Sequence, residues 1–321
     1  MCIRDSYNAL FGARAGMCLT SGSSNTFIGR AAGGGGTTTG SNNVAVGSQA
    51  GASVSSGGYN VHFGHCAGRG YTTQSDNISI GCKAGASVTQ TNSQCNIFIG
   101  KYAGQHADAS GTAVEASIAL GRCAGYKAEG SYAIYIGLNA GGHDDNKSSQ
   151  RSIAIGFYAG KQDCGACNVY IGDQAGSSQG TTSNNTGYNN VAIGRQAGQC
   201  ISSGDTNIAI GSGALGLGIL TGDGHIAIGE GALKSATSSL CNIAIGMGAL
   251  CTSTDGCCNV AIGIRAGKCL TSGDDNVFLG FYAGENVTTG DENVYAKTHC
   301  YYWFKVFQYF PLCLKLSLIH I

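Results

Sequence analysis

Asn190-Val191-Ala192-Ile193-Gly194-Arg195-Gln196-Ala197-Gly198 is the stretch that decides how the whole chain is read. Counted by the Gly that closes its first half, the phrase recurs at Gly12, Gly29, Gly47, Gly64, Gly81, Gly100, Gly121, Gly137, Gly156, Gly172, Gly194, Gly211, Gly229, Gly246, Gly263 and Gly280. Spacings run from 16 to 22 residues, and 17 is the commonest. A unit this short can bury its apolar face only against its neighbours, which predicts a solenoid or fibre.

Working outward from the phrase, the residue after Asn is Val or Ile in nearly every copy, and two residues on stands a second large apolar residue. Between them the identity varies: Phe27, Ala45, His62, Ser79, Phe98, Tyr135, Tyr170, Phe278. A period of two is that of a half-buried strand. The invariant pair is expected to point inward and the variable residue outward. The expected core is then Val191, Ile193 and Ala197, Ile208, Ile210 and Ala214, and Ile243, Ile245 and Ala249.

The second half of the phrase is stricter. Three residues after the first Gly stands Ala in all sixteen copies, followed by Gly in thirteen and by Leu215, Leu233 or Leu250 in three. Those three copies carry Gly213, Gly231 and Gly248 just before the Ala. The coincidence reads as an exchange of volume in a close-packed interior.

Composition agrees with repetition better than with ordinary domains. The 321 residues include 54 Gly and 1 Pro, and only 11% are charged. Formal charge is zero, and with no basic stripe to meet phosphate, nucleic acid is not an expected partner. The stretches between phrases are rich in Gly, Ser, Thr, Asn and Asp, the residues of turns.

The two ends depart from the pattern. Met1 to Ser6 matches a translation of ATG TGT ATA AGA GAC AG, and Leu316 to Ile321 one of CTG TCT CTT ATA CAC ATC. The two strings are reverse complements and resemble a transposase adapter used to fragment DNA for sequencing. Residues 1–6 are therefore expected to be adapter-derived, residues 7–296 to be the repeat domain, and residues 297–321 to come from a frameshift or adapter. Within that tail Lys305 and Lys315 bracket nine residues, whereas a membrane span needs roughly 20, so no anchor is expected.

Asn-Val-Ala-Ile-Gly, at Asn190 to Gly194 and Asn259 to Gly263, resembles the repeat of trimeric autotransporter adhesin heads. With the following Ala-Gly and polar spacer it is also similar to repeats of phage tail fibres. The resemblance implies a parallel β-solenoid of the left-handed β-roll type, here all-β with about sixteen short coils, and three chains wound together. It implies a structural or adhesive fibre at the cell surface, outside the cell or in a virion, with a receptor or glycan as partner. Two alternatives are the shaft of a carbohydrate-processing tail spike and an ice-binding solenoid. Ice binding is disfavoured because Thr pairs such as Thr72-Thr73, Thr181-Thr182 and Thr288-Thr289 do not recur in neighbouring coils.

A thin core independently favours association. Two apolar side chains per coil supply roughly 1.5–3 kcal/mol each, against about 1 kcal/mol or more for ordering each backbone residue. Packing the Ala-Gly edges of three copies together would supply the missing burial, which makes a homotrimer the expected state.

Sixteen cysteines suit assembly in a reducing cytosol better than export. Cys241 and Cys258, at the same position of successive coils, are the expected disulfide. Mixed ligands at His62, His65, Cys66 and Cys82 could gather around zinc, but His62 occupies a variable strand position, so no metal site is expected. Cys164-Gly165-Ala166-Cys167 has redox spacing without a βαβ surrounding, and His143-Asp144-Asp145-Asn146 lacks the further carboxylates of a calcium loop. No carboxylate pair or nucleophile elbow recurs, so neither an enzyme nor a cofactor is expected. The outward aromatics offer rings for sugar or receptor contact, with Phe98, Tyr102, Phe278, Phe281 and Tyr282 as candidates.

Overall fold

The computed structural model describes residues 7–35, 37–107, 113–143, 150–178 and 185–297, leaving the two ends and the Thr181-Thr182 and Asp144-Asp145-Asn146 stretches outside. It is an all-β parallel solenoid. Each phrase forms a three-residue strand, from β1 (Ala9–Phe11) and β2 (Thr26–Ile28) through β11 (Val191–Ile193) to β16 (Val277–Leu279) and β17 (Val294–Ala296). Each strand pairs with the next in register: Val191 lies over Ile208, Ala192 over Ala209 and Ile193 over Ile210. Seventeen strands in one parallel stack, about 4.8 Å apart, make a rod of roughly 75 Å.

The strand faces are opposite to expectation. The middle residue points into the coil: Ala192, Ala209, Ala244, Phe27, Phe278 and Tyr170 have no exposed surface. The flanking aliphatics stand outside, with Val191, Ile193, Ile208, Ile210, Ile243 and Ile245 only half-buried and Ile28, Ile171 and Leu279 exposed. Of the expected core, Ala197, Ala214 and Ala249 lie inside, fully buried. Parallel register explains why Val and Ile persist on an outer face. Each side chain packs on its counterpart in the coils above and below, and β-branched residues suit such a ladder.

Inside the coil, three positions share one narrow space. The strand's middle residue meets the residue after the Ala and a third residue from the spacer. Where the second is Gly198 or Gly267, the spacer supplies Ile201 or Leu270; where it is Leu233 or Leu250, the spacer supplies Ala236 or Ser253. A methyl group added at Gly198 would lie 2.8 Å from Ile201 Cδ1. Volume is thus exchanged with the spacer in these coils, as close packing demands, whereas the coil of Leu215 buries Leu220 as well.

Gly213, Gly231 and Gly248 have a different reason. The backbone is left-handed both there and two residues later, with φ 65° and 48° at Gly213 and Leu215, against 58° and 58° at Gln196 and Gly198. A non-Gly residue in that region costs roughly 1–2 kcal/mol. Each turn therefore places one Gly on its two left-handed sites, and in three coils the Gly and the side chain trade places. The residue at Gly213 faces outward, since an added Cβ there meets nothing within 4 Å.

The Gly that ends each strand has a steric role. At Gly246 φ is +132°, and a Cβ would sit 2.5 Å from the Gly263 carbonyl oxygen of the next coil. Only Gly lets the coils approach to strand spacing there.

Asn at the head of the phrase stitches the coils together from within. Asn259 Oδ1 accepts the Asn276 backbone N–H at 2.9 Å, while Asn259 Nδ2 donates to the Gly273 carbonyl at 2.7 Å. The same pair of bonds joins Asn43 to Asn60 and Gly57, and Asn190 to Asn207 and Gly204. Where the chain has His225 in place of Asn, the ring does both tasks. Its Nε2 bonds the Ser239 carbonyl at 2.8 Å, and its Nδ1 accepts the Asn242 N–H at 3.2 Å.

Candidate functional site

Burial divides the five aromatic candidates. Phe98 and Phe278 occupy the middle strand position and are 2% and 0% exposed, so they cannot touch a sugar or receptor. They fill the coil, Phe278 stacking on Tyr295 at 5.0 Å. Tyr135 and Tyr170 are buried for the same reason. Tyr102, Phe281 and Tyr282 lie instead on the turn that follows each strand, where the backbone bends outward through its left-handed residue. Phe281 is exposed and edge-on to Tyr282 at 4.1 Å, and the Arg265 guanidinium lies 5.2 Å over the Tyr282 ring. Lys101 and Lys83 flank Tyr102 in the same way, at 5.0 and 5.7 Å. The turn face thus carries rings and cations together.

The His and Cys group is also split by the strand. His62 points into the coil, stacked on Tyr71 at 5.1 Å, with neither ring nitrogen hydrogen-bonded. Burial pushes its pKa from 6.5 down to about 3, so the ring is neutral. His65, Cys66 and Cys82 lie on the turn instead, Cys66 itself buried there, with His65 nitrogens 3.6 Å from Cys66 Sγ and 3.9 Å from Cys82 Sγ. Among the described residues, no three His, Cys, Asp or Glu side chains converge as metal ligands.

Cys241 and Cys258 stand at the same position of successive coils, but both thiols are free and exposed, not bridged. Equivalent side chains leave a parallel stack in the same direction about 4.8 Å apart, whereas a disulfide needs Cβ atoms about 3.5–4.5 Å apart. Cys164 and Cys167 are free as well, Cys167 on a left-handed exposed corner. His143 is buried, and Asp144, Asp145 and Asn146 lie outside the described residues.

A polar group inside the rod escaped sequence reasoning. Asp163 holds the spacer position where Ile201 and Leu220 sit elsewhere, and it is 2% exposed. Its Oδ1 accepts the Gly165 N–H at 3.2 Å and Asn168 Nδ2 at 3.0 Å, while the Tyr170 hydroxyl accepts Asn185 Nδ2 at 2.6 Å. Burial lifts the Asp163 carboxyl to about 8, against the pull of these donors, so it is protonated at neutral pH. Closed off from solvent, this acid links two coils.

Single threonines recur from coil to coil, although the Thr pairs do not. Thr221, Thr237, Thr254 and Thr271 each donate their hydroxyl to the carbonyl of the corresponding Thr in the next coil, ending at Thr288. Hydroxyl protons committed to carbonyls are not presented to ice, which weakens the ice-binding alternative on physical grounds.

The chain matches no known family model, no curated protein and no solved structure.

Proposed function

We propose that this chain is a shaft: a rigid spacer in a fibrous surface or virion protein that works as an assembly of copies, three by the resemblance of its Asn-Val-Ala-Ile-Gly phrase. The observation that carries this reading is the outer strand face. Val and Ile ladders run its whole length half-exposed, and Ile28, Phe63, Ile99, Ile171, Ile262 and Leu279 are 36–55% exposed. The largest apolar patch of ordinary monomers is roughly 300–600 Å². Some thirty aliphatic side chains in one stripe present on the order of 1,000 Å², enough for the roughly 800 Å² per partner of a stable interface.

The expected Ala-Gly edge cannot be that interface. Ala197, Ala214 and Ala249 are closed off within their own coil. Association is assigned to the strand face instead, where two flat ladders of β-branched residues supply complementary surfaces. Free, exposed thiols at Cys95, Cys167, Cys241 and Cys258 suit assembly in a reducing compartment, as a virion component has. The role is structural rather than catalytic.

Sedimentation equilibrium tests this. The chain should sediment as a trimer, and Ile210→Glu with Ile245→Glu, which buries charge at the interface, should release single folded copies. A wild-type chain that stays single at tens of micromolar, or a double variant that stays trimeric, would overturn the assignment.

A further inference from the structure

The coils bearing Gly213, Gly231 and Gly248 are consecutive, and on the turn face they remove the outward side chain that neighbouring coils carry as Gln196 and Arg265. The result is a groove of about 300 Å³ along the rod axis. It spans four coil steps, roughly 19 Å. Gln196 and Arg265 close its ends, and the three glycines form a floor with no side chains. In a chain of zero net charge its lining is basic: Arg195, Lys234, Arg265 and Lys268 against a single lining carboxylate, Glu230. Arg265 lies 3.6 Å from Glu285 and over the Tyr282 ring, which hold the end of the groove that it closes. Leu217 and Met247, 64% and 46% exposed, add apolar surface beside the charges.

We propose that this groove binds a short anionic oligosaccharide bearing carboxylate or sulfate groups. The volume is at the lower end of ligand sites, about 300–1,000 Å³. The lining cations meet acidic groups, Gln199 and Ser212 meet hydroxyls, and Leu217 and Met247 meet the apolar faces of sugar rings. An acidic peptide docking as an added strand is disfavoured by the backbone. The floor amides are already donated to the preceding coil, Gly213 to Arg195 at 2.9 Å, Gly231 to Ser212 at 2.9 Å and Gly248 to Glu230 at 2.8 Å. The site lies on the turn face, away from the aliphatic ladders, so it stands whether or not the shaft reading does.

Fluorescence anisotropy on the full chain tests the proposal, with a labelled heparin tetrasaccharide as probe, neutral cellotetraose as its uncharged counterpart and a hexaglutamate peptide as the other polyanion. The heparin fragment should bind, and cellotetraose and hexaglutamate should not. Lys234→Gln with Lys268→Gln should weaken binding about tenfold, as expected for two lost charge contacts in a partly buried groove. Glu230→Gln should tighten it. Gly231→Gln, made together with Leu233→Gly and Ala236→Ile so that the turn has the arrangement of Gln196, Gly198 and Ile201, fills the floor and should abolish binding with every charge intact. No binding of the heparin fragment, equal binding of hexaglutamate, or this triple variant binding like the wild type would overturn the proposal. A chain that sediments as single copies yet binds the fragment would remove the shaft assembly and leave the groove.

Discussion

Replacing Asn259 by Ala removes one full stitch from the internal ladder and leaves everything around it in place. The Asn276 N–H loses its 2.9 Å acceptor, and the Gly273 carbonyl loses its 2.7 Å donor. Asn276 is fully buried, so water cannot replace its lost partner. A buried polar group left without a partner costs about 1–3 kcal/mol, so the pair costs about 2–6 kcal/mol. For a chain this size that corresponds to a fall in melting temperature of roughly 5–15 °C. Asn259→His should lose far less, because His225 shows an imidazole supplying the acceptor and the donor at the same site. The chain already tolerates an interruption, since Ala133 stands at this position in another coil. Urea unfolding gives the free energy, and hydrogen exchange gives the location, with the Asn276 amide losing protection first. If Asn259→Ala were within 0.5 kcal/mol of the wild type with the Asn276 amide still protected, the ladder would not be what joins the coils.

Acid should loosen the rod at its buried imidazoles. His62 has its pKa lowered to about 3, so between pH 6.5 and 3 the unfolded chain binds a proton that the folded chain refuses. Stability is therefore full above pH 6.5 and falls by about 1.4 kcal/mol per pH unit below it. His62→Phe, a residue that Phe27 and Phe98 show the site accepts, should flatten this slope in urea titrations; an unchanged slope would place His62 in contact with water. Burial also lowers the His225 pKa, and His225→Asn should improve stability at acid pH in the same direction. Asp163 works with the opposite sign. Its pKa is raised to about 8, so its contribution is complete below pH 4 and is lost as pH rises to 8, again about 1.4 kcal/mol per unit. Asp163→Asn keeps an oxygen for the Gly165 and Asn168 donors and should diverge from the wild type as pH rises, whereas parallel profiles would mean that the carboxyl is ionised in the fold.

The periodicity of Val191, Ala192 and Ile193 announced strands, and the 17-residue spacing announced stacking; both follow from local chemistry. Which strand face is inside did not follow. Invariance at Val191 and Ile193 suggests a core, but in a parallel stack an outer ladder constrains its residues just as tightly, because each must fit its copies above and below. Variability at the middle position suggests solvent, yet the interior tolerates Ala192 or Phe278 because spacer residues such as Ile201 and Val287 adjust the volume. That compensation was visible in one part only, at Leu233 and Leu250, and was assigned to the wrong neighbour. For the candidate site, Tyr102, Phe281 and Tyr282 were legible because the turn turns them outward. Phe98 and Phe278 were not, since the inverted face took them inside. The groove was hidden for a related reason: Gly231 reads as a spacer until the backbone shows that its missing side chain would have faced outward.

Hydroxyl-radical footprinting read by mass spectrometry tests the inverted strand face most directly, using phenylalanines already in the chain. Phe98 and Phe278, with rings inside the coil, should stay unmodified, while Phe157 and Phe281, 46% and 40% exposed on the turns, should be oxidised readily. Oxidation of Phe98 and Phe278 at the rate of Phe157 and Phe281 would contradict the account.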